Sequence, residues 1–140
     1  MSYRGGPLAR DERATPGRIQ AGDRAPDAPG LDAAGQPLIL FDVFRGPHFT
    51  LLALGASQVA RAVWRNARFG PRVRVVGVVA PGDEVQGGDV FVDLHGHARA
   101  GYDLEGDALV LVRPDGYIGF ITTDMSTVGV EDYLARVSGT

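Results

Sequence analysis

The chain has 140 residues, the length of one domain, and its content of 44% hydrophobic and 22% charged residues is ordinary for a soluble globule. It contains no cysteine, which excludes disulfides, thiol catalysis and thiolate metal sites. Its formal net charge of -3 argues against a protein dominated by nucleic-acid binding, and all of its basic side chains are arginines, which excludes a lysine Schiff base.

The N-terminal 30 residues are predicted to form an extended arm or interdomain connector. Pro7, Pro16, Pro26 and Pro29 interrupt any helix, and several glycines add flexibility. No apolar run reaches the roughly 20 residues of a membrane span. The first residues also lack the apolar stretch of a secretory signal. We therefore expect a cytoplasmic protein that does not contact a membrane.

The ordered body is predicted to begin near Leu31. Residues 32–35 form a turn signal, and residues 37–44 are interpreted as a short strand because apolar side chains alternate there. Residues 49–54 form a continuous apolar run bounded by glycine and proline. That run predicts a buried central strand.

A helix is predicted over residues 58–69, where apolar side chains recur with helical spacing. Ser57 is a suitable N-cap, and Gly70-Pro71 ends the helix. The valine-rich residues 73–79 predict a strand buried on both faces. An acidic loop, a short strand and one or two helical turns follow, at residues 81–88, 90–93 and 95–102.

A hairpin and a helix are predicted to complete the chain. Residues 108–112 and 117–122 read as strands that flank Arg113-Pro114-Asp115-Gly116, in which proline fixes the first turn position and glycine accepts a positive φ. Ser126 or Thr127 caps the last helix. One face of that helix carries Val130, Tyr133, Leu134 and Val137.

This order of elements predicts an α/β fold with a mixed sheet flanked by helices. A strand, a helix and a second buried strand in succession indicate a right-handed crossover, and the late hairpin must be antiparallel. The layout resembles that of thioredoxin-like proteins, including the N-terminal hairpin of peroxiredoxin-like members. We expect the arm or connector at residues 1–30 and the thioredoxin-like domain, without redox cysteines, at residues 31–140.

In a thioredoxin-like fold the reactive thiol lies where the first buried strand meets its helix, because a helix N-terminus stabilises a thiolate. Here that junction reads Gly55-Ala56-Ser57-Gln58-Val59. Ser57 is interpreted as a helix cap rather than a nucleophile. The fold also places a cis-proline before the hairpin, where this chain has Gly106-Asp107-Ala108. The sequence therefore predicts no redox activity.

Two groups of side chains were considered as metal or catalytic sites. His95 and His97 could pair on a metal, but zinc needs three or four ligands, so exposed loop histidines are the simpler interpretation. The acidic stretch at residues 83–107 is either a solvated rim or a site for an ion or a carboxylate pair, and it lacks the spacing of a calcium loop. We expect no metal and no catalytic residue.

A candidate interaction face lies on the predicted helix. Arg61, Arg65 and Arg68 share a helix face, and no acidic residue occurs between positions 61 and 74. This face is either solvated or a docking surface for an acidic partner. Trp64 lies among these arginines and is either a core residue or a half-buried interface anchor.

Both ends of the chain resemble one family. The stretches YRGGPL, QAGDRAPDAP, LDAAG and ALVLVRPDGYIG stand at residues 3–8, 20–29, 31–35 and 108–119. They are similar to the C-terminal region of FAD-dependent aromatic hydroxylases, namely the phenol-hydroxylase-like and aromatic-polyketide monooxygenases. The resemblance implies a thioredoxin-like domain without cysteines. It also implies that FAD and NAD(P)H bind to upstream domains, and no GxGxxG motif occurs in this chain.

Three hypotheses follow from the sequence. The resemblance implies a noncatalytic C-terminal domain, or an orphan relative of one, that packs on the flavin-binding catalytic domains or a second subunit and could form a homodimer. The second is a free-standing protein-binding module that uses the arginine-rich helix face. The third is a small enzyme that uses a carboxylate or histidine of residues 93–107.

Overall fold

A computed structural model describes residues 10–11, 19, 21–32, 34–55, 62–64, 69–70, 72–80, 89–93, 96, 98, 102, 107–123 and 127–137. Its strands are β1 (Arg10–Asp11), β2 (Pro29–Leu31), β3 (Pro37–Ile39), β4 (Phe49–Leu54), β5 (Val73–Val79), β6 (Asp89–Asp93), β7 (Ala108–Val112) and β8 (Ile118–Thr122). Its two bounded helices are α1 (Leu40–Phe44) and α2 (Val128–Val137).

The described strands form one mixed sheet in the order β1-β8-β7-β4-β5-β6-β2-β3. Strands β4, β5 and β6 are parallel, whereas β7 pairs antiparallel with both β4 and β8. The antiparallel hairpin of β2 and β3 joins the sheet through β6. The predicted mixed α/β sheet with an N-terminal hairpin is therefore confirmed.

The sheet is covered on both faces, and β4 shows this most directly. Leu52 and Leu54 belong to one apolar cluster, whereas Leu51 and Ala53 belong to a second cluster on the opposite face. Alternate side chains of a strand point to opposite faces, so the continuous apolar run at residues 49–54 supplies both cores. The first core also contains α1, and the second contains α2.

Aromatic rings of the second core lie directly on strand glycines. A Cβ atom added at Gly77 in β5 would lie 2.5 Å from Cδ2 of Trp64, and one added at Gly119 in β8 would lie 2.7 Å from Cζ of Tyr133. Both rings are buried. Glycine in a strand interior often marks such a close approach. Because neither glycine has a side chain, the rings of Trp64 and Tyr133 pack directly against the sheet at these two positions.

The predicted strand at residues 37–44 is wrong in its second half. Only Pro37–Ile39 is a strand, and Leu40–Phe44 forms α1. The backbone amide of Phe41 donates to Oδ1 of Asp27 at 2.9 Å, which satisfies a free donor of the first helical turn. Leu40, Val43 and Phe44 are buried at helical spacing, so burial follows a period of 3.6 rather than 2.

The described part of the predicted arm is packed into the domain. Ala21, Ala25 and Ala28 are buried in the first core. The amides of Gly22 and Ala25 donate to the carbonyls of Ile118 and Gly116, both at 2.8 Å. These bonds join the segment to the start of β8, so the packed body extends N-terminally of Leu31.

A hydrogen bond between distant parts of the chain fixes the same segment. The hydroxyl of Tyr102 donates to the carbonyl of Pro26 at 3.0 Å, across 76 positions of sequence. Burial raises the pKa of Tyr102 well above its ordinary value, and the carboxylate of Asp27 raises it further. The phenol therefore remains a neutral donor that holds residues 21–28 against the first core.

The other predicted elements agree with the structure where it describes them. The strands at 49–54, 73–79 and 108–112 have the predicted bounds. The amide of Gly116 donates to the carbonyl of Arg113, which closes the predicted turn. In α2, Val130 and Tyr133 are buried, and Leu134 and Val137 pack against the second core. Residues 62–64 are helical, and Phe69, the last residue of the helix predicted at 58–69, is not. Residues 58–61 and 65–68 and the loop predicted at 81–88 lie outside the described residues.

Within the described segments, no helix combines the length and the hydropathy that a bilayer crossing requires.

Two N-terminal deletions test where the folded unit begins. Removal of residues 1–18 is expected to leave a chain that unfolds cooperatively in urea. Removal of residues 1–30 is expected to abolish the cooperative transition, because it removes the buried alanines and uncovers the first core. Circular dichroism at increasing urea measures both. A cooperative transition of undiminished slope after the longer deletion would show that the arm is dispensable.

A double-mutant cycle tests the contact between Trp64 and Gly77. Gly77→Ala is expected to destabilise the domain by about 1–3 kcal/mol, because the added methyl group overpacks the ring. In a Trp64→Leu background the same substitution is expected to cost much less, because the ring is gone. Urea denaturation of the four proteins gives the coupling energy. Equal costs in both backgrounds would contradict the contact.

Candidate docking surface

The end of β4 corresponds to the place where a thioredoxin-like fold carries its thiol. Gly55 follows β4, and a Cβ atom added to it would lie 2.8 Å from Cγ of Asp107. Asp107 directly precedes β7, at the position where the fold has its cis-proline, and no cis peptide bond occurs in the described backbone. The chain has no cysteine for thiol chemistry at this end of the sheet, where the carboxylate of Asp107 lies against Gly55.

The acidic and histidine candidates do not assemble into a site in the described part of the chain. No group of three or more histidine, aspartate or glutamate side chains there could hold a metal ion. Asp93 is 3% exposed, and its Oδ1 accepts a hydrogen bond from the amide of Ala98 at 2.7 Å. This contact gives Asp93 a capping role in the segment that follows β6. His95 and His97 lie outside the described residues.

The predicted interaction face is described at one of its four positions. Trp64 is 4% exposed and packs on Gly77. Of its two interpretations, this burial supports the core residue rather than the half-buried interface anchor. Arg61, Arg65 and Arg68 lie outside the described residues, so the arginine-rich face stays a prediction.

The opposite end of the sheet, where β4 and β5 begin and β7 ends, is rich in arginine. The amide of Phe49 donates to the carbonyl of Arg72 at 2.8 Å, and Nη1 of Arg74 lies 3.4 Å from the carbonyl of Val43 in α1. Arg113 follows β7 and is paired with Asp115 in the turn. Arg45 follows α1 and lies 2.7 Å from Asp42. This end therefore gathers positive charge from four parts of the chain.

Arg24 is a fifth arginine at this end. Its guanidinium carbon lies 6.0 Å from the ring centroid of Phe41 and 5.8 Å from that of Tyr117. A bridge between residues 24 and 117 aligns the two backbones. Each cation–π contact at an exposed site contributes about 0.5–1 kcal/mol. No carboxylate of the described residues pairs with it.

A groove of ≈ 270 Å³ opens beside this arginine. Arg24, Phe41, Phe44, Arg45 and residues 114–116 line it, and we call it the basic groove. Phe41 is 40% exposed, and Ile39, which directly precedes α1, is 43% exposed. Exposed aromatic and arginine side chains together are typical of protein interfaces. The arrangement can bind a protein surface that offers carboxylates beside apolar atoms.

Sequence reasoning missed the basic groove for two identifiable reasons. Arg24 was assigned to the extended arm, and Phe41 to a strand. The helical spacing of Leu40, Val43 and Phe44 was the available signal that Phe41 faces outward. The approach of residue 24 to residue 117 had no local signal.

The chain resembles several proteins of known type. It is 39% identical over 137 residues to a flavin-dependent monooxygenase of Mycobacteroides abscessus, and the match covers 98% of this chain and 22% of that protein. The chain thus spans about a fifth of the length of this relative.

Three solved structures are also similar to this chain. The flavin-dependent monooxygenase PieE, solved in complex with FAD and substrate, matches with a TM-score of 0.70 and 25% identity, over 98% of this chain and 25% of that one. Aklavinone-11 hydroxylase, solved with FAD and aklavinone, matches with a TM-score of 0.60 and 26% identity, over 86% and 22%. The thioredoxin domain of a Bacteroides vulgatus thiol-disulfide oxidoreductase matches with a TM-score of 0.66 at 16% identity, over 85% and 98%. This last likeness shows the thioredoxin-like fold.

The family comparison covers almost the whole described body. A model of the aromatic-ring hydroxylase C-terminal domain matches residues 19–140, which include every described strand except β1. With its cysteine-free thioredoxin-like sheet and its flavin-dependent relatives, the chain belongs to the family of aromatic-ring hydroxylase C-terminal domains.

Proposed function

We propose that this chain is a noncatalytic domain of an FAD-dependent aromatic-ring monooxygenase. Its role is structural: it packs against the flavin-binding catalytic domains and contributes to the association of subunits, including a homodimer. One observation carries this proposal. The described strands form a thioredoxin-like sheet with an apolar core on each face, but the chain has no cysteine, and the described backbone has no cis-proline before β7. The chain therefore has the packed shape of the thioredoxin-like fold without the cysteines that carry its redox chemistry.

The residues at the end of β4 do not fit a bound FAD. A dinucleotide diphosphate binds to backbone amides at a glycine-rich turn between a strand and a helix. Here the turn after β4 reads Gly55-Ala56-Ser57-Gln58-Val59, without the later glycines. The carboxylate of Asp107 lies against Gly55 and would repel a diphosphate. FAD and NAD(P)H accordingly belong to the upstream domains of the parent protein.

The parent activity follows from the relatives and is part of the proposal. The Mycobacteroides abscessus relative is a flavin-dependent monooxygenase of which this chain matches 22%. Hydroxylation of an aromatic ring by such an enzyme depends on the chemistry of its cofactor, which the rest of the polypeptide binds. A cytoplasmic location is consistent with this role and completes the proposal.

The alternative function is a free-standing protein-binding module that uses Arg61, Arg65 and Arg68. No described residue favours it over the structural role, because the side chain that the structure describes on that face, Trp64, is buried. It stays a prediction.

Titration with FAD tests the assignment of the cofactor to other domains. The isolated 140-residue chain is expected to leave the flavin fluorescence unchanged at up to high micromolar FAD, because the sequence after β4 lacks the later glycines of a diphosphate site and Asp107 would repel the diphosphate. The intact Mycobacteroides abscessus relative provides the positive control. Saturable micromolar binding by the isolated chain would contradict the proposal.

A further inference from the structure

Arg24 is an exposed cation that has no anionic partner among the described residues. The other groove arginine, Arg45, is balanced by Asp42, and the groove acid Asp115 is balanced by Arg113. The guanidinium carbon of Arg24 lies 6.0 Å from the ring centroid of Phe41 and 5.8 Å from that of Tyr117. The planar edge of a guanidinium fits a carboxylate in a bidentate arrangement.

The surroundings of Arg24 favour a protein surface over a small anion. Phe41 is 40% exposed on the same groove, and Ile39 is 43% exposed two residues before it. Arg72 and Arg74 add positive charge at the same end of the sheet. A partner of matching chemistry would present a carboxylate within an apolar patch and a net negative charge around it.

The direction of the chain indicates which partner this is. Strand β1 runs parallel to β8, with Arg10 opposite Phe120 and Asp11 opposite Ile121. Its N-terminal end therefore points to the end of the sheet where β8 begins, which is the end that carries Tyr117 and Arg24. In proteins of this family the C-terminal domain follows the other domains, and the matched relative has roughly four-fifths of its length outside the region that matches this chain.

We propose that the basic groove docks onto the flavin-binding domain that precedes it in the parent protein, and that Arg24, held between Phe41 and Tyr117, receives a carboxylate of that domain. This inference rests on the proposed structural function and names the surface that performs it. A second copy of this chain is the other occupant, and the experiment separates the two.

Hydrogen exchange in a full-length hybrid tests the docking. The hybrid joins this chain to the Mycobacteroides abscessus relative in place of that protein's matching fifth, and the isolated 140-residue chain is the reference. Amides of residues 37–45 and 113–117 are expected to exchange at least tenfold more slowly in the hybrid than in the reference. Arg24→Glu is expected to return both segments to the rates of the isolated chain, and Phe41→Ala is expected to do so in part.

Matched variants and alternative outcomes make the test decisive. Arg136→Glu makes the same change of charge on the exposed side of α2, which covers the second core, and it is expected to keep most of the protection. Thermal unfolding of each isolated variant confirms that the fold is intact. Protection confined to another surface overturns this inference and leaves the structural function in place. Protection nowhere overturns both, and protection that appears in the isolated chain at high concentration assigns the groove to a second copy.

Discussion

The burial of β4 on both faces is the constraint on which the rest of the structure depends. Residues 50–54 are buried, with alternate side chains in separate cores, so both faces of the sheet must be covered. One cover includes residues 21–28 and α1, and the other includes the helical segment of Trp64 and α2. Because the faces are occupied, a partner can reach the described sheet itself only at its two ends and at its edges.

The two ends differ in chemistry. At the end where β4 finishes, the carboxylate of Asp107 lies against Gly55 and disfavours both a thiolate and a diphosphate. At the end where β4 begins, Arg24, Arg45 and the exposed ring of Phe41 line the basic groove. This difference between the two ends supports the structural role that we propose, with association at the groove.

The sequence predicted those elements whose signal is local. Apolar runs at residues 49–54 and 108–112 and the valine-rich segment at residues 73–79 fix three strands, because short runs of large or β-branched apolar side chains favour a buried strand. The helix α1 was missed because its cap, Asp27, lies 14 positions before Phe41. The packing of the arm was missed because its partners are carbonyls of residues 116 and 118. The sequence did not predict the basic groove for the same reason, because positions 24, 41 and 117 come together only in the folded chain. The sequence left Trp64 open between a core residue and an interface anchor, and its contact with Gly77 in the fold supports the core residue.

The most direct measurement of the structural role is the thermal stability and subunit association of the Mycobacteroides abscessus relative after its C-terminal fifth is removed. Flavin absorbance reports bound cofactor, calorimetry gives the melting midpoint, and sedimentation gives the oligomeric state. Our account predicts that the shortened protein still binds flavin but melts at a lower temperature or dissociates, since a packed surface has been exposed. An unchanged melting midpoint together with an unchanged oligomeric state would contradict it.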